Sequence, residues 1–334
     1  MTSAVLIDHD FENYWAAVAR GDERGAQAVA LGVRDAGGSL ESVLSDLVVQ
    51  AQLRVGDLWA TNRWTVPREH AATAVGESVV RRLAADLVEP TDGPGLLVAC
   101  VEREWHALPA LVLATTLRAR GERVTYLGAS STRDQLVSRI VDQGPRAVLL
   151  SASLSSSLPR ARRHIDAVRS TGTPVVVGGR AFDPAGVRAR RLGATAYAAS
   201  PADLLDVLPS LPRHVPPSSP LRHAAAAEAR GIQSGAESIS RDVTAELRHR
   251  LRLDATPGPD GWAGVLVGHV PHVVDSLAGA LLVEDPTVMS EARTWLTDVL
   301  TGRGAAPGAV DLLWATLADR LRDYPEALSL LHAR

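Results

Sequence analysis

Between about residues 96 and 198, short apolar runs alternate with amphipathic helical patterns, and this alternation most constrains the fold. Strands that are apolar throughout, separated by such helices, predict a parallel sheet covered by helices on both faces. The predicted strands are Leu96–Val101, Arg123–Leu127, Ala147–Ser151, Pro174–Val177 and Ala196–Ala198. The predicted helices between them are Ala107–Arg120, Arg133–Gln143, Leu158–Thr171 and Asp183–Leu192. With right-handed crossovers, residues 94–209 form a doubly wound, Rossmann-like α/β domain.

Helical patterns flank this α/β domain on both sides. In residues 1–89 apolar positions recur at helical spacing, and four helices there would make a small helical-bundle cap. Residues 210–222 form a proline-rich linker, which is typical of a semi-rigid spacer. Residues 223–334 are predicted to be all α, so the fold class is multidomain α and α/β. The helices predicted there are Ala224–Leu253, Pro271–Val283, Pro286–Leu300, Pro307–Arg322 and Pro325–His332.

Composition excludes several classes of function. The chain has 334 residues, a formal net charge of −3 and 35 basic residues, all of them arginine. Schiff-base chemistry on a lysine is therefore excluded, and without a basic domain we expect no direct nucleic-acid binding. The one cysteine, Cys100, lies in a predicted buried strand, which fits a reducing cytoplasm. No signal peptide and no apolar run of membrane length are found, so we expect a cytoplasmic protein without membrane contact.

A histidine follows the first predicted strand, at the turn into the next helix. The segment reads Glu104-Trp105-His106-Ala107. Open α/β sheets bind their ligands at the carboxyl ends of the strands. A carboxylate beside a histidine, as Glu104 is here, can fix its tautomer and raise its basicity as a metal ligand. A lone histidine at such a turn is more often structural, so the assignment depends on its neighbours.

Two further motifs follow the third and fourth predicted strands. The first is the serine-rich segment from Ser151 to Ser155, and the second is the pair Gly178-Gly179. Glycine allows a bulky ligand to approach the backbone, and serine can hydrogen-bond polar ligand groups. Because the carboxyl ends of parallel strands meet at one edge, the two motifs and His106 are expected to line a single crevice.

Together these motifs resemble the cobalamin-binding domain of methionine synthase, methylmalonyl-CoA mutase and the corrinoid proteins. In that family the histidine replaces the cofactor's benzimidazole as the lower cobalt ligand. The resemblance implies that His106 is the metal ligand and Glu104 its partner. It assigns the channel for the displaced nucleotide tail to Ser151, Ser153, Gly178 and Gly179. Glu104 stands where the family has aspartate, and Pro109 stands where it has glycine.

A second set of residues lies in the predicted cap. Its members are Trp59, Val66, Glu69 and His70. Taken alone, a tryptophan is usually core and a Glu-His pair is usually solvated. As a set they resemble the cap of the cobalamin light sensors related to MerR-type repressors, which implies contact with the adenosyl group of adenosylcobalamin. Those sensors have a histidine directly after the tryptophan, whereas Ala60 stands there in this chain and leaves His70 as the candidate replacement.

The last domain resembles the small globin-like domain of photocobilins over Leu277–Leu300. The resemblance implies a linear tetrapyrrole such as biliverdin, bound without a thioether because no cysteine follows Cys100. The candidate bilin contacts are His269, His272 and Arg293. Pro271 argues against a regular helix between the two histidines, and they are also candidates for a metal site. A plain helical interaction domain is the alternative.

These features predict a light sensor, not an enzyme, in which photolysis of the cobalt–carbon bond shifts the cap and the populations of its states. Two alternatives stay open. One is a corrinoid carrier protein of a methyltransferase system, and the other is a helical heme sensor with His269 or His272 on the iron. An unidentified protein is the expected downstream partner, and the oligomeric state stays open.

Overall fold

The computed structural model describes residues 2–88, 90–253, 258 and 260–332. At its centre lies a parallel sheet of five described strands in the order β2-β1-β3-β4-β5. The strands are β1 Leu96–Cys100, β2 Val124–Tyr126, β3 Ala147–Ser151, β4 Val175–Gly178 and β5 Ala196–Tyr197. Each predicted strand is confirmed, with its ends displaced by no more than one residue.

The strand order places a crevice at the carboxyl ends of β1 and β3, where successive connections leave the sheet in opposite directions. The register of the strands brings the predicted motifs to one level. Cys100 at the end of β1 pairs with Ser151, and Ser151 pairs with Gly178. The segments that follow these residues therefore start side by side.

Helices cover both faces of the sheet. They are α6 Leu108–Ala119, α7 Arg133–Gln143, α8 Leu158–Ser170, α9 Val187–Arg191 and α10 Pro201–Val207. The prediction that the fourth helix begins at Asp183 is wrong, because α9 begins only at Val187. The Asp183 carboxylate accepts hydrogen bonds from the backbone N–H groups of Val187 and Arg188 instead, at 3.0 and 2.6 Å. Asp183 thus caps the helix from outside it.

The N-terminal cap is helical. Its elements are α1 Thr2–Arg20, α2 Glu23–Asp35, α3 Leu40–Ser42, a π-helix over Val43–Val49, α4 Gln50–Ala60 and α5 Val66–Ala84. The buried core of the cap includes Tyr14 and Val79, together with Leu108 and Leu111 of α6. Because α6 belongs to both cores, the cap is packed directly on the α/β domain.

The C-terminal domain is all α in its described part. Its helices are α11 Ala224–Arg250, α12 Trp262–Val283, α13 Thr287–Thr301, α14 Ala309–Arg320 and α15 Pro325–His332. Its apolar core is continuous with that of the α/β domain. Arg188 of α9, only 3% exposed, donates hydrogen bonds to Asp285 at 2.7 Å and to Glu291 at 2.8 Å. This buried guanidinium fastens the two domains together.

The expectation that Pro271 prevents a regular helix between His269 and His272 is wrong. The helix runs through Pro271 without ending. A proline inside a helix costs about 3 kcal/mol. Fully buried apolar side chains contribute about 1.5–3 kcal/mol each, and α12 buries many, among them Leu266 and Leu277. Burial of the whole helix therefore outweighs the local cost.

The same helix corrects the expectation about apolar runs. With 22 residues and a mean hydropathy of 1.5, α12 is long and apolar enough to cross a bilayer. In the fold, however, 67% of its most apolar stretch is buried among other helices. This is the composition of a core helix, and the sequence analysis missed its length because Pro271 divided it.

Candidate functional site

Glu104 is the centre of the crevice at the end of β1. Its carboxylate is almost fully buried and accepts hydrogen bonds from both neighbouring loops. One oxygen, Oε2, accepts from the backbone N–H of Ser153 at 2.7 Å and of Leu154 at 3.3 Å, and from the hydroxyl of Ser157 at 3.2 Å. Glu104 therefore ties the loop after β1 to the loop after β3.

The other oxygen of Glu104 holds His106. Oε1 lies 2.6 Å from Nδ1 of His106 and also accepts from its backbone N–H at 3.1 Å. A carboxylate can only accept from the ring, so Nδ1 carries the proton and Nε2 keeps its lone pair. The side chain of His106 is 55% exposed, so Nε2 is available to a ligand. Trp105 beside it is also exposed.

The charge state of this pair follows from its hydrogen bonds. Burial alone would raise the pKa of the Glu104 carboxyl, but hydrogen bonds from His106 and Ser153 outweigh burial and lower it. The hydrogen bond to Glu104 raises the pKa of His106 against the effect of burial. The fixed carboxylate makes the imidazole a stronger base and a better metal ligand.

The serine and glycine motifs lie where the sequence analysis expected them. Ser151 is buried at the end of β3, and Ser153 uses its backbone N–H to bind Glu104. Gly179 has φ +104°, and an added Cβ there would collide with the backbone of Ala152. At Gly178 an added Cβ would lie 2.7 Å from the Ala198 carbonyl oxygen. Close backbone approach therefore requires glycine at both positions before any ligand is considered.

Of the four predicted cap residues, the structure links Glu69 to His106 of the crevice. Trp59 lies in the last turn of α4, and Val66 is the first residue of α5. Glu69 accepts a hydrogen bond from the hydroxyl of Thr73 at 2.9 Å, and its charge contributes to the raised pKa of His106. The structure thus brings the carboxylate of the cap within electrostatic range of the histidine. His70 is mostly exposed, with Nε2 3.4 Å from Glu69.

Trp59 also contacts the C-terminal domain, which the sequence analysis did not foresee. Its indole stacks on Trp295 of α13, with ring centroids 6.0 Å apart and an interplanar angle of 22°. The guanidinium of Arg303 stands 4.8 Å from the centroid of the Trp59 ring. Both partners lie more than 200 positions away in the sequence, so no local pattern indicates the contact.

The two histidines of α12 connect Trp295 on α13 with the loop after β3. The ring of His269 is 5.3 Å from that of Trp295 and 5.6 Å from that of His272, centroid to centroid. His272 Nδ1 lies 3.1 Å from the hydroxyl of Ser156, in the loop after β3. Burial is the largest cause that lowers the pKa of both histidines, to about 4 for His269.

Arg293 is not brought together with these histidines. Its guanidinium pairs with Asp311 at 2.6 Å and stands 5.7 Å from the centroid of Trp314. Arg293 and Trp295 are two positions apart on α13 and so point in nearly opposite directions around the helix. Arg293 therefore lies on the face of α13 opposite to Trp295 and the His269 ring that Trp295 contacts, so the three expected bilin contacts do not form one site.

No all-protein metal centre is found in the described part of the chain. There, no group of three or more His, Cys, Asp or Glu side chains could hold a metal ion, and this includes the surroundings of His269 and His272. His106 can supply a single ligand.

Two family models match this chain. Residues 94–205 match the B12 binding domain, and residues 10–84 match a second B12 binding domain model. The HTH-type transcriptional repressor CarA of Myxococcus xanthus is 35% identical over 120 residues, which make up 35% of this chain and 41% of that relative. The chain thus spans less than half the length of this relative.

A solved structure agrees with the fold. The monomethylamine corrinoid protein of Methanosarcina barkeri superposes with a TM-score of 0.52 at 17% identity, over 61% of this chain and 99% of that protein. At this identity the likeness shows the fold alone. The two domain matches support a corrinoid as the cofactor of the cap and the α/β domain.

Proposed function

We propose that this protein is a light sensor that holds adenosylcobalamin between His106 and the cap. The observation that carries the proposal is the buried Glu104 carboxylate, which fixes Nδ1 of His106 while the His106 side chain stays 55% exposed. Glu69 of the cap lies within electrostatic range of His106. A histidine that is fixed through one ring nitrogen suits a cofactor that brings its own metal.

Five residues of the candidate site have a defined role in this proposal. His106 would hold the cobalt through Nε2, and Glu104 would keep the proton on Nδ1. Trp59 would cover the adenosyl group with its indole, while Glu69 and His70 would offer hydrogen bonds to a ribose or base. The cofactor would supply a light-sensitive cobalt–carbon bond. Loss of the adenosyl group would remove the contact of Trp59 and let the cap shift relative to the sheet.

A bilin near His269 and His272 is part of the same proposal. The His269 imidazole lies beside Trp295 and next to that of His272, and burial lowers the pKa of His269 to about 4, so this ring is neutral at pH 7 and can accept a hydrogen bond from a pyrrole N–H. Binding would be non-covalent, since Cys100 is the only cysteine of the chain. Arg293 lies on the other face of α13 and is a candidate only for a propionate that reaches around the helix.

A sensor is favoured over a corrinoid carrier for a methyltransferase by the position of Trp59. A carrier needs an open upper face so that a partner can deliver methyl groups. Here Trp59 is held by Trp295 and Arg303 of the C-terminal domain.

We further propose a cytoplasmic location and a protein partner.

The test is an absorption spectrum of the purified protein, loaded in the dark with adenosylcobalamin and then exposed to visible light. The proposal expects the spectrum of bound adenosylcobalamin to be replaced by that of a cobalamin without its adenosyl group. An unchanged spectrum after illumination would refute it. Methylcobalamin that a partner demethylates in the dark would favour the carrier.

Separate loading with biliverdin and with heme tests the second chromophore. A red-shifted biliverdin band in the wild type that is lost in His269→Ala and His272→Ala supports the bilin. Uptake of heme with a histidine-ligated spectrum, and no uptake of biliverdin, would favour the heme sensor instead.

A further inference from the structure

The C-terminal domain holds both ends of the turn that carries the proposed adenosyl contacts. We define the lid turn as residues 59–66, which connect α4 to α5. Trp59 stands at its start and Val66 at its end. Side chains from three separate places in the C-terminal domain reach this turn: Asp260 before α12, Trp295 on α13 and Arg303 after α13.

At the start of the lid turn, Arg303 covers the C-terminal end of α4. Its Nη2 donates to the carbonyl oxygen of Trp59 at 2.9 Å and its Nη1 to that of Ala60 at 3.1 Å. The same guanidinium stands over the Trp59 ring at 4.8 Å. A cation is favourable at a helix C-terminus, where carbonyl groups carry partial negative charge.

At the end of the lid turn, Asp260 covers the N-terminal end of α5. Its Oδ1 accepts a hydrogen bond from the backbone N–H of Val66 at 3.4 Å. The local N-cap residue, Thr65, makes no side-chain cap hydrogen bond. Asp260 therefore provides the anion that a helix N-terminus favours. The charges of Arg303 and Asp260 match the dipoles of the two helix ends that they contact.

The third contact is aromatic. Trp295 stacks on the Trp59 indole with centroids 6.0 Å apart, and it is itself partly exposed. On its other side Trp295 meets the ring of His269 at 5.3 Å. Displacement of Trp59 would therefore change the packing of α13 and α12, not only that of the cap.

We propose that the conformation of the C-terminal domain depends on that of the lid turn, with Arg303 as the positioning residue that couples the two. The inference rests on the proposed function, because it names the element that receives the signal from the upper face. Movement of Trp59 breaks its stack with Trp295 and its bonds to Arg303, so α13 changes its position with it. The C-terminal domain is thereby the output element of the sensor.

The first test uses the cofactor-free protein and amide hydrogen exchange. Arg303→Met keeps much of the aliphatic volume but removes the two hydrogen bonds and the charge. We expect exchange in residues 57–66 to be at least tenfold faster than in the wild type, with partial recovery in Arg303→Lys, which restores the charge without the planar fork. Trp295→Leu should give the same direction of change.

The matched control is Arg54→Met. Arg54 also stands over a tryptophan ring, 4.4 Å from the centroid of Trp15, and also pairs with a carboxylate, Glu12 at 2.9 Å. It lies within the cap and does not meet the C-terminal domain through these contacts. Its exchange in residues 57–66 should stay within twofold of the wild type. Equal exchange of these residues in Arg303→Met and wild type would overturn the inference.

The second test compares exchange before and after illumination of the adenosylcobalamin-loaded protein. We expect a light-dependent change in residues 292–303 of the wild type that Arg303→Met abolishes while photolysis itself continues. Photolysis without any change in the exchange of residues 292–303 would overturn the proposed coupling of the C-terminal domain to the lid turn, and it would leave the light-sensor proposal standing. Absence of photolysis would overturn both the light-sensor function and the light-dependent coupling. The cofactor-free experiment would still decide whether Arg303 holds the lid turn.

Discussion

The indole of Trp59 stacks on the indole of Trp295, and this contact joins the proposed adenosyl lid to the C-terminal domain. From Trp295 the contacts continue to His269 and then to His272. His272 hydrogen-bonds to Ser156 in the loop after β3. The residue that follows Ser156, Ser157, donates a hydrogen bond to Glu104. Side-chain contacts, with one step along the backbone from Ser156 to Ser157, thus connect Trp59 with the carboxylate that holds His106.

Replacement of Glu104 tests the anchor of the proposed cobalt ligand. We expect Glu104→Gln to weaken cobalamin binding by roughly 10–100-fold, the usual cost of losing a partner behind a metal ligand. The measurement is a cobalamin titration followed by absorption. Glu102→Gln, on the same loop, is the control and should bind like the wild type. Wild-type affinity in Glu104→Gln would show that His106 does not depend on this carboxylate.

Replacement of Trp59 tests the lid. Trp59→Ala should retain cobalamin, because His106 and Glu104 are untouched, but it opens the upper face to water. We expect light-dependent loss of the adenosyl group to be at least twofold faster, measured from absorption under constant illumination. Trp314→Phe, remote from the lid beside Arg293, should photolyse at the wild-type rate. A Trp59→Ala variant with wild-type photolysis would remove Trp59 from the site.

The buried Arg188 predicts how firmly the C-terminal domain is docked. Arg188→Met leaves Asp285 and Glu291 without their cation, and because both carboxylates keep some access to water, we expect the free energy of unfolding to fall by about 1–3 kcal/mol. Denaturant unfolding followed by circular dichroism measures the change in the free energy of unfolding. Arg190→Met, also on α9, should change it by less than about 0.5 kcal/mol, because among the described residues the Arg190 side chain bonds to the nearby Ala185 carbonyl alone. Equal stability of the two variants would contradict this docking contact.

His269 makes stability dependent on pH. Burial lowers its pKa from 6.5 to about 4, so the unfolded chain takes up this proton at a higher pH than the folded protein does. Stability from this group is therefore complete above about pH 6.5 and is lost as the pH falls toward 4, by up to about 3 kcal/mol. His269→Gln, which cannot titrate, should have a flatter dependence of unfolding free energy on pH in this window. An identical slope in the wild type and His269→Gln would show that His269 is solvated.

Local patterns were sufficient for the α/β domain and for the lower half of the site. The five strands are short apolar runs bounded by turn residues, whereas their order in the sheet was known only from the structure, because right-handed crossovers fix the hand of each connection and not the order. Glu104 and His106 are two positions apart, so their contact could be predicted from spacing alone. The alignment of Ser151 and Gly178 at one level follows from the common direction of the strands.

Long-range packing decides the features that the sequence did not reveal. Pro271 was expected to interrupt a helix, but burial of α12 on several sides stabilises the helix through it. The contact of Arg303 with Trp59 joins residues 244 positions apart, and that of Asp260 with Val66 joins residues 194 positions apart. Such contacts depend on how complete domains dock, and no periodicity or motif within either segment encodes them.

The most direct measurement concerns Nε2 of His106, because the proposed function assumes that this atom binds cobalt. The protein is labelled uniformly with 15N, loaded with unlabelled cob(II)alamin and examined by electron paramagnetic resonance. A histidine ligand gives each cobalt line a doublet splitting from 15N, which becomes a triplet in unlabelled protein and is lost in His106→Ala. A triplet that persists in the labelled wild-type protein would show that the cofactor's own benzimidazole stays on cobalt, and would contradict His106 as the lower ligand.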